Sequence, residues 1–342
     1  MAMRAIELQR FAAEGLAMTE RPVPQPGPGE VLVTVKACSL NYRDWLMLQG
    51  LYNPKQKLPL VPLSDGAGEV AALGDGVQGL KPGDRVLGHF FPAWLAGGPG
   101  IEKLSVSQGG PYDGWLCEQR IFPAAALAKI PDHLSYAEAA ALPCAALTAW
   151  SAIVTLGQVQ PGERVLVQGT GGVSLFALQF AKLCGAEVIA TSSSDDKLVR
   201  AKALGADHLI NYRTTPDWGR AARAITGGSG LDHVVEVGGA GTLTQSIRAI
   251  RPGGTISMIG VLSGPTSNDL LLPLVVMQQV RLQGVTVGSK EGLDAMLRAM
   301  TLAKLKPVLD RSFGFSVDEV REAFNHMGKG GHFGKIVVEI LA

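Results

Sequence analysis

ERVLVQGTGGVSLFALQFAKLCGAEVIATSSS, residues Glu163–Ser194, alternates two structural periods within one short stretch. Val165, Leu166 and Val167 form an apolar β run. Gly169-Thr170-Gly171-Gly172 then makes a turn, and Val173, Phe176, Ala177 and Phe180 recur at helical spacing before Val188-Ile189-Ala190 resumes β character. Strand, glycine turn, helix and strand in that order make half of a dinucleotide-binding fold. The glycines suit it physically, because a tight turn brings backbone N–H groups at a helix N-terminus against a pyrophosphate, aided by the helix dipole. The third position of the G-x-G-x-x-G pattern is Ser174, a departure expected to loosen helix-to-strand packing slightly.

Outward from this stretch the chain reads as two domains. Its 342 residues exceed a typical domain of roughly 100 to 200 residues. With 46% hydrophobic and 18% charged residues it is a globular chain, and a formal net charge of +1 offers no field to draw nucleic acid or an acidic membrane. Cys38, Cys117, Cys144 and Cys184 are scattered singly, which fits reduced thiols in the cytoplasm. No signal peptide is evident, and no apolar run approaches membrane-spanning length.

Short β signals split by proline and glycine fill residues 1 to about 130, including Val31–Val35 and Lys81–Leu87, with a turn at Gly66–Val70; a barrel-like β domain is the simplest reading. The glycine-rich stretch from Phe91 to Trp115 is too long for a plain connector and suggests a lid or rim. From Ser135 helices appear, at Tyr136–Leu142 and Leu147–Leu156. Past Ser194, strands at Asp207–Asn211, Leu231–Val237 and Gly254–Gly260 alternate with helical segments, so a parallel sheet is expected. Apolar sequence at Leu270–Val276 and Val280–Val287 suggests an edge strand that a second copy of the chain would cover in a homodimer. The last segment returns to the first domain. The expected division is residues 1–134 with 290–342 as a mostly-β domain and 135–289 as a Rossmann domain, an α/β fold with a doubly wound parallel sheet.

Gly29–Val33, Lys81–Val86, the turn Gly169–Val173, Arg251–Gly254 and Gly334–Val337 together resemble the medium-chain dehydrogenase/reductase superfamily over nearly the whole chain. The resemblance is strongest to its zinc-free quinone oxidoreductase-like branch and to zinc-type alcohol dehydrogenase-like proteins, and it implies a GroES-like catalytic domain joined to the Rossmann domain. In zinc-using members the catalytic metal is held at positions that match Asn41, Ser64 and Cys144 here. An amide, a hydroxyl and one thiol fall short of the three nitrogen, sulfur or carboxylate ligands that a catalytic zinc requires. The structural zinc site of such members needs four closely spaced cysteines, and Phe91–Trp115 has none. The six histidines show no ligand spacing either, so no metal is expected.

In the quinone oxidoreductase-like relatives, positions matching Asn41, Asp44, Tyr52 and Ser64 line the active site, with Tyr42 adjacent and Phe90 at the aromatic pocket position; Trp94 and Trp115 could wall the same pocket. A hydroxyl or amide N–H there would stabilise the oxyanion formed when hydride reaches an enone or quinone, with Tyr52 or Tyr42 as proton donor. Ordinary capping of the helix that includes Trp45 explains Asn41 and Asp44 equally well, and core packing explains the aromatics.

An NAD-preferring fold carries an acid roughly 20 residues after the glycine turn, and here that place is Thr191-Ser192-Ser193-Ser194. The missing carboxylate points to NADPH, although Asp195 or Asp196 could restore NADH binding. The resemblance assigns Thr148, Gly169, Thr170, Gly171, Gly172, Val173, Ser192, Ser193, Lys197, Tyr212, Gly260 and Lys329 to the cofactor. The expected protein is therefore an NADPH-dependent reductase of a small carbonyl, enone or quinone without catalytic zinc. An alcohol dehydrogenase and a non-catalytic NADPH-binding protein are the alternatives.

Overall fold

The computed structural model describes residues 2–264, 266 and 270–340, and the chain divides into two compact units, Met1–Leu147 with Gly288–Ala342, and Thr148–Val287. The division falls at Leu147/Thr148, later than the boundary expected after residue 134. The helix Tyr136–Ala140 lies against the sheet of the first unit, and the Cys144 backbone N–H is tied to Asp65 of the same unit.

The first unit is mostly β. Strands β1 (Ala2–Leu8) and β2 (Leu16–Pro22) pair with each other, while β3 (Glu30–Leu40), β4 (Asp65–Leu73), β5 (Arg85–Gly88), β6 (Gln119–Pro123) and β7 (Leu127–Lys129) join one sheet around the long central β3. The stretch Gly66–Val70, expected as a turn, is the body of β4. Its glycines serve packing, since a Cβ on Gly66 would stand 2.3 Å from the indole of Trp115. Trp115 is fully buried with Val31, Val33, Phe122, Phe324 and Ile336 in the core, so its role is packing rather than walling a pocket.

The second unit holds β8 (Arg164–Gln168), β9 (Glu187–Ser192), β10 (His208–Asn211), β11 (Leu231–Glu236), β12 (Ile250–Met258) and β13 (Arg281–Gly284) in a parallel sheet ordered β10-β9-β8-β11-β12-β13. In sequence order of its own strands that is 3-2-1-4-5-6, the doubly wound arrangement whose switch point lies between the first and fourth strands. Helix Gly172–Leu183 follows β8 and buries Leu175, Phe176, Leu178 and Phe180. Leu272–Met277 is a short helix, not a strand, and β13 forms the outer edge with all four of its residues exposed. The chain then returns to the first unit, where β14 (Leu309–Gly314) and β15 (Lys335–Glu339) extend the sheet, β15 running antiparallel to β3.

Candidate active site

In the second unit the sequence places its glycine turn at the C-terminal end of β8. Gly169 has φ +71°, and Gly171 is the N-cap of helix Gly172–Leu183 with no side chain to cap its first turn. A Cβ built on either glycine meets nothing within 4 Å, so the turn leaves an open cradle below unprotected helix N–H groups. Ser174 explains its own departure from the glycine pattern. Its buried hydroxyl donates to the Gln168 carbonyl at 2.6 Å, tying the helix to the end of β8 rather than loosening it.

The other cofactor candidates of this unit are Thr148 and Thr170, both buried, Val173 in the first turn of the helix, and Ser192, which closes β9 with its backbone carbonyl accepting from Tyr212 N–H at 3.0 Å. Ser193 is half-buried, and Ser194 caps helix Asp195–Ala203 by accepting from Lys197 N–H. Gly260 follows β12 and lets the chain pass close to the Val237 carbonyl, which a Cβ would approach to 2.4 Å. No carboxylate falls among residues 191–194, and that of Asp195 is engaged by the Asn211 amide at 2.7 Å. Lys329 belongs to the first unit, as the exposed C-cap of helix Val317–Gly328.

Sequence reasoning missed the buried Glu236 at the end of β11. Among the described residues no cation pairs with it; it accepts from Gln168 Nε2 at 2.7 Å, from the Gly238 and Gly239 N–H groups at 2.9 Å each, and from the Thr242 and Ser246 hydroxyls at 2.5 Å each. This set joins the ends of β8 and β11 at the switch point. Nothing about a lone glutamate closing an apolar strand signals that arrangement.

The first unit gathers a second, wholly buried polar cluster. Helix Tyr42–Leu48 begins at Asn41, and the Asp44 carboxylate accepts from the Asn41 N–H at 2.8 Å, the capping role that the sequence allowed for Asp44. The Asn41 carboxamide, its partner in that capping box, is engaged elsewhere as well. Its Oδ1 accepts from Lys335 Nζ at 2.5 Å, and its Nδ2 donates to Ser64 Oγ at 3.3 Å. Ser64 in turn donates to Asp65 Oδ1 at 2.8 Å, and Asp65 Oδ2 accepts from the Cys144 N–H at 3.0 Å. Lys335 and Asp65, neither singled out from sequence, thus complete a directed chain of donors through Asn41 and Ser64.

Arg43 closes one side. Its guanidinium, itself buried, donates to the carbonyls of Gln108, Gly109 and Gly110, so the long glycine-rich loop is pinned where it passes the helix. The Tyr52 ring lies 4.6 Å from that guanidinium and the buried Phe90 ring 5.5 Å, placing both with the cluster. Tyr42 is stacked on Trp45 and partly exposed. Trp94 donates to the Gly97 carbonyl and packs against Phe91 within the loop.

Burial dominates the titration of the cluster. Desolvation lifts the Asp44 carboxyl from 3.8 to about 6 despite Arg43 and Lys335, and lifts Asp65 against the pull of Lys335. The Cys144 thiol is raised by burial and then by the negative charge of Asp65. Because the folded Asp44 binds its proton more tightly than an unfolded aspartate, its favourable contribution is complete below the ordinary value and is lost as pH rises through about 6. The Asp44→Asn variant is therefore expected to lose a pH-dependent component of stability on the order of 3 kcal/mol between about pH 4 and 6. Urea melts of wild type and variant across that window check it; parallel curves would refute the assignment.

The positions matched to a catalytic zinc do not fit that metal. The Asn41 oxygen faces an ammonium and the Ser64 hydroxyl is spent on Asp65, which leaves the Cys144 thiol as the one good zinc donor of the three. Among the described residues no group of three or more His, Cys, Asp or Glu side chains is placed to hold a metal ion.

Two family descriptions match the chain, the second of them running past Val287 into the first unit. Residues 27–132 match the family described as alcohol dehydrogenase GroES-like domain, and residues 172–301 the family described as zinc-binding dehydrogenase. A zinc-type alcohol dehydrogenase-like protein of Schizosaccharomyces pombe is 43% identical, covering 99% of this chain and 100% of its own length. A chloroplastic quinone-oxidoreductase of Triphysaria versicolor is 34% identical over 98% of each chain. The crystal structure of an NAD-dependent alcohol dehydrogenase superposes with a TM-score of 0.90 at 39% identity, covering 99% of this chain and 100% of that one.

Proposed function

The chain belongs to the medium-chain dehydrogenase/reductase superfamily and is an NAD(P)-dependent oxidoreductase, and from that premise we propose that it reduces a carbonyl, enone or quinone with NADPH and without catalytic zinc. The observation that carries this reading is the Lys335–Asn41–Ser64–Asp65 chain, which supplies N–H and ammonium donors at the positions matched to metal ligands. The dinucleotide, when bound, supplies the hydride. Gly169, Gly171 and Gly172 receive its pyrophosphate on the open turn, and Ser192, Ser193, Lys197 and Tyr212 receive a 2′-phosphate. As the acceptor carbon takes two electrons and its oxygen becomes negative, the Asn41 N–H stabilises that oxygen and Tyr52 returns the proton. Cys144 stays a neutral thiol throughout, and Phe90 packs the acceptor.

Initial rates with benzoquinone, enones, aldehydes and alcohols, measured with NADPH and NADH and with and without a chelator, test the reading. Turnover of the quinones or enones that prefers NADPH and survives chelation is expected, with Lys197→Ala raising the KM for NADPH selectively by about tenfold, as loss of one charged phosphate contact would. Chelator-sensitive oxidation of alcohols with NAD would replace it with the alcohol dehydrogenase reading, which the names of several relatives favour. Tight NADPH binding without turnover would leave a binding protein.

The exposed edge of β13, with Leu282 on it and Leu272, Val276 and Met277 exposed on the preceding helix, is the surface that a second copy would cover in a homodimer. A sedimentation coefficient of a monomer at micromolar concentration would rule this out. The four cysteines are free, as suits a reducing cytoplasm.

A further inference from the structure

Lys335 is 3% exposed and opens β15, whose neighbour Ile336 pairs with Leu40 at the end of β3. That register delivers the ammonium to the Leu40 carbonyl at 2.6 Å and to Asn41 Oδ1 at 2.5 Å. A carboxamide can turn either end outward, and the side chains around it decide which. With an ammonium fixed on the oxygen, only the nitrogen is free to donate, and the positive charge polarises the amide so that its N–H becomes a stronger donor. The nitrogen has two hydrogens; it donates to Ser64 Oγ at 3.3 Å, and the Asp65 carboxyl also draws on the Asn41 side chain.

We propose that Lys335 is a positioning residue for the reduction: it locks the Asn41 carboxamide with its N–H2 as the donor face of the site and charges that donor toward a developing oxyanion. This rests on the metal-independent reading above. A purely structural lysine would need only to satisfy the Leu40 carbonyl and offset the buried charge of Asp65, and would leave the amide orientation and its donor strength unaffected.

The chain contains five asparagines, so the full-length protein labelled with 15N only at asparagine gives few side-chain amide signals, and Asn41→Asp assigns that of Asn41 by its loss. Hydrogen exchange of the Asn41 amide and turnover of the quinone or enone found active above are followed in Lys335→Met and Lys335→Arg. Where Lys335→Met fails to fold, Asp65→Asn/Lys335→Met is compared with Asp65→Asn, since this pair removes both buried charges together. Lys335→Met is expected to speed exchange of the Asn41 amide and to lower kcat about tenfold or more with the KM for NADPH unchanged, and Lys335→Arg to restore much of both. Unchanged exchange, or faster exchange with kcat within about twofold of its reference, overturns the inference. Chelator-sensitive wild-type turnover overturns the metal-independent reading instead, while the exchange result still reports whether Lys335 holds the amide.

Discussion

Gly171→Ala is expected to fold as the wild type does and to lose most of its affinity for the dinucleotide. The backbone at Gly171 has φ −76°, open to any residue, and the added methyl meets no protein atom within 4 Å. The fold therefore has no use for the missing side chain. As N-cap residues, glycine and alanine differ modestly, so the melting temperature should move little. A bound pyrophosphate lying on the turn would collide with the methyl, and overpacking of that kind costs roughly 1–3 kcal/mol, about 5- to 150-fold in Kd. Titration of NADPH fluorescence against wild type and variant measures it. An unchanged Kd would mean that the phosphate does not rest on this turn.

Asn41→Ala carries the largest expected effect on turnover. The variant deletes the proposed donor to the oxyanion, a loss worth on the order of 100- to 1,000-fold in kcat where such a donor has been removed. It also strands the Lys335 ammonium without its 2.5 Å acceptor, so some stability goes with it. The two consequences separate, because a destabilised but competent enzyme would keep its kcat per folded molecule. Stopped assays normalised to the folded fraction decide the matter. A kcat within a few-fold of wild type would remove Asn41 from the chemistry and leave it as the start of its helix.

The candidate residues of the two units were legible to different degrees. On the nucleotide side each signal is local: strand, turn, helix and the serines closing the second strand follow one another within a few dozen residues. Only Glu236 escaped, since its significance depends on Gln168 from a neighbouring strand. On the substrate side the sequence singled out Asn41, Asp44, Ser64 and Cys144 by resemblance, and left open whether Asn41 and Asp44 cap a helix or face a ligand. The structure gives Asn41 and Asp44 a reciprocal capping box at the start of their helix and adds the donor chain through the Asn41 carboxamide. Trp115, weighed as a pocket wall, is core because two glycines facing its ring make room for it.

The sequence by itself determined the family, the doubly wound sheet, the glycine turn and the absence of an acid at Thr191–Ser194. All of these are properties of residue type and short-range spacing. Tertiary structure alone decided that a lysine opening an apolar strand is buried rather than solvated, and that it meets an asparagine 294 positions away. Antiparallel pairing of β15 with β3 brings that about, because register between distant strands comes from matching their apolar patterns on one sheet, and neither strand read alone says which partner it will match.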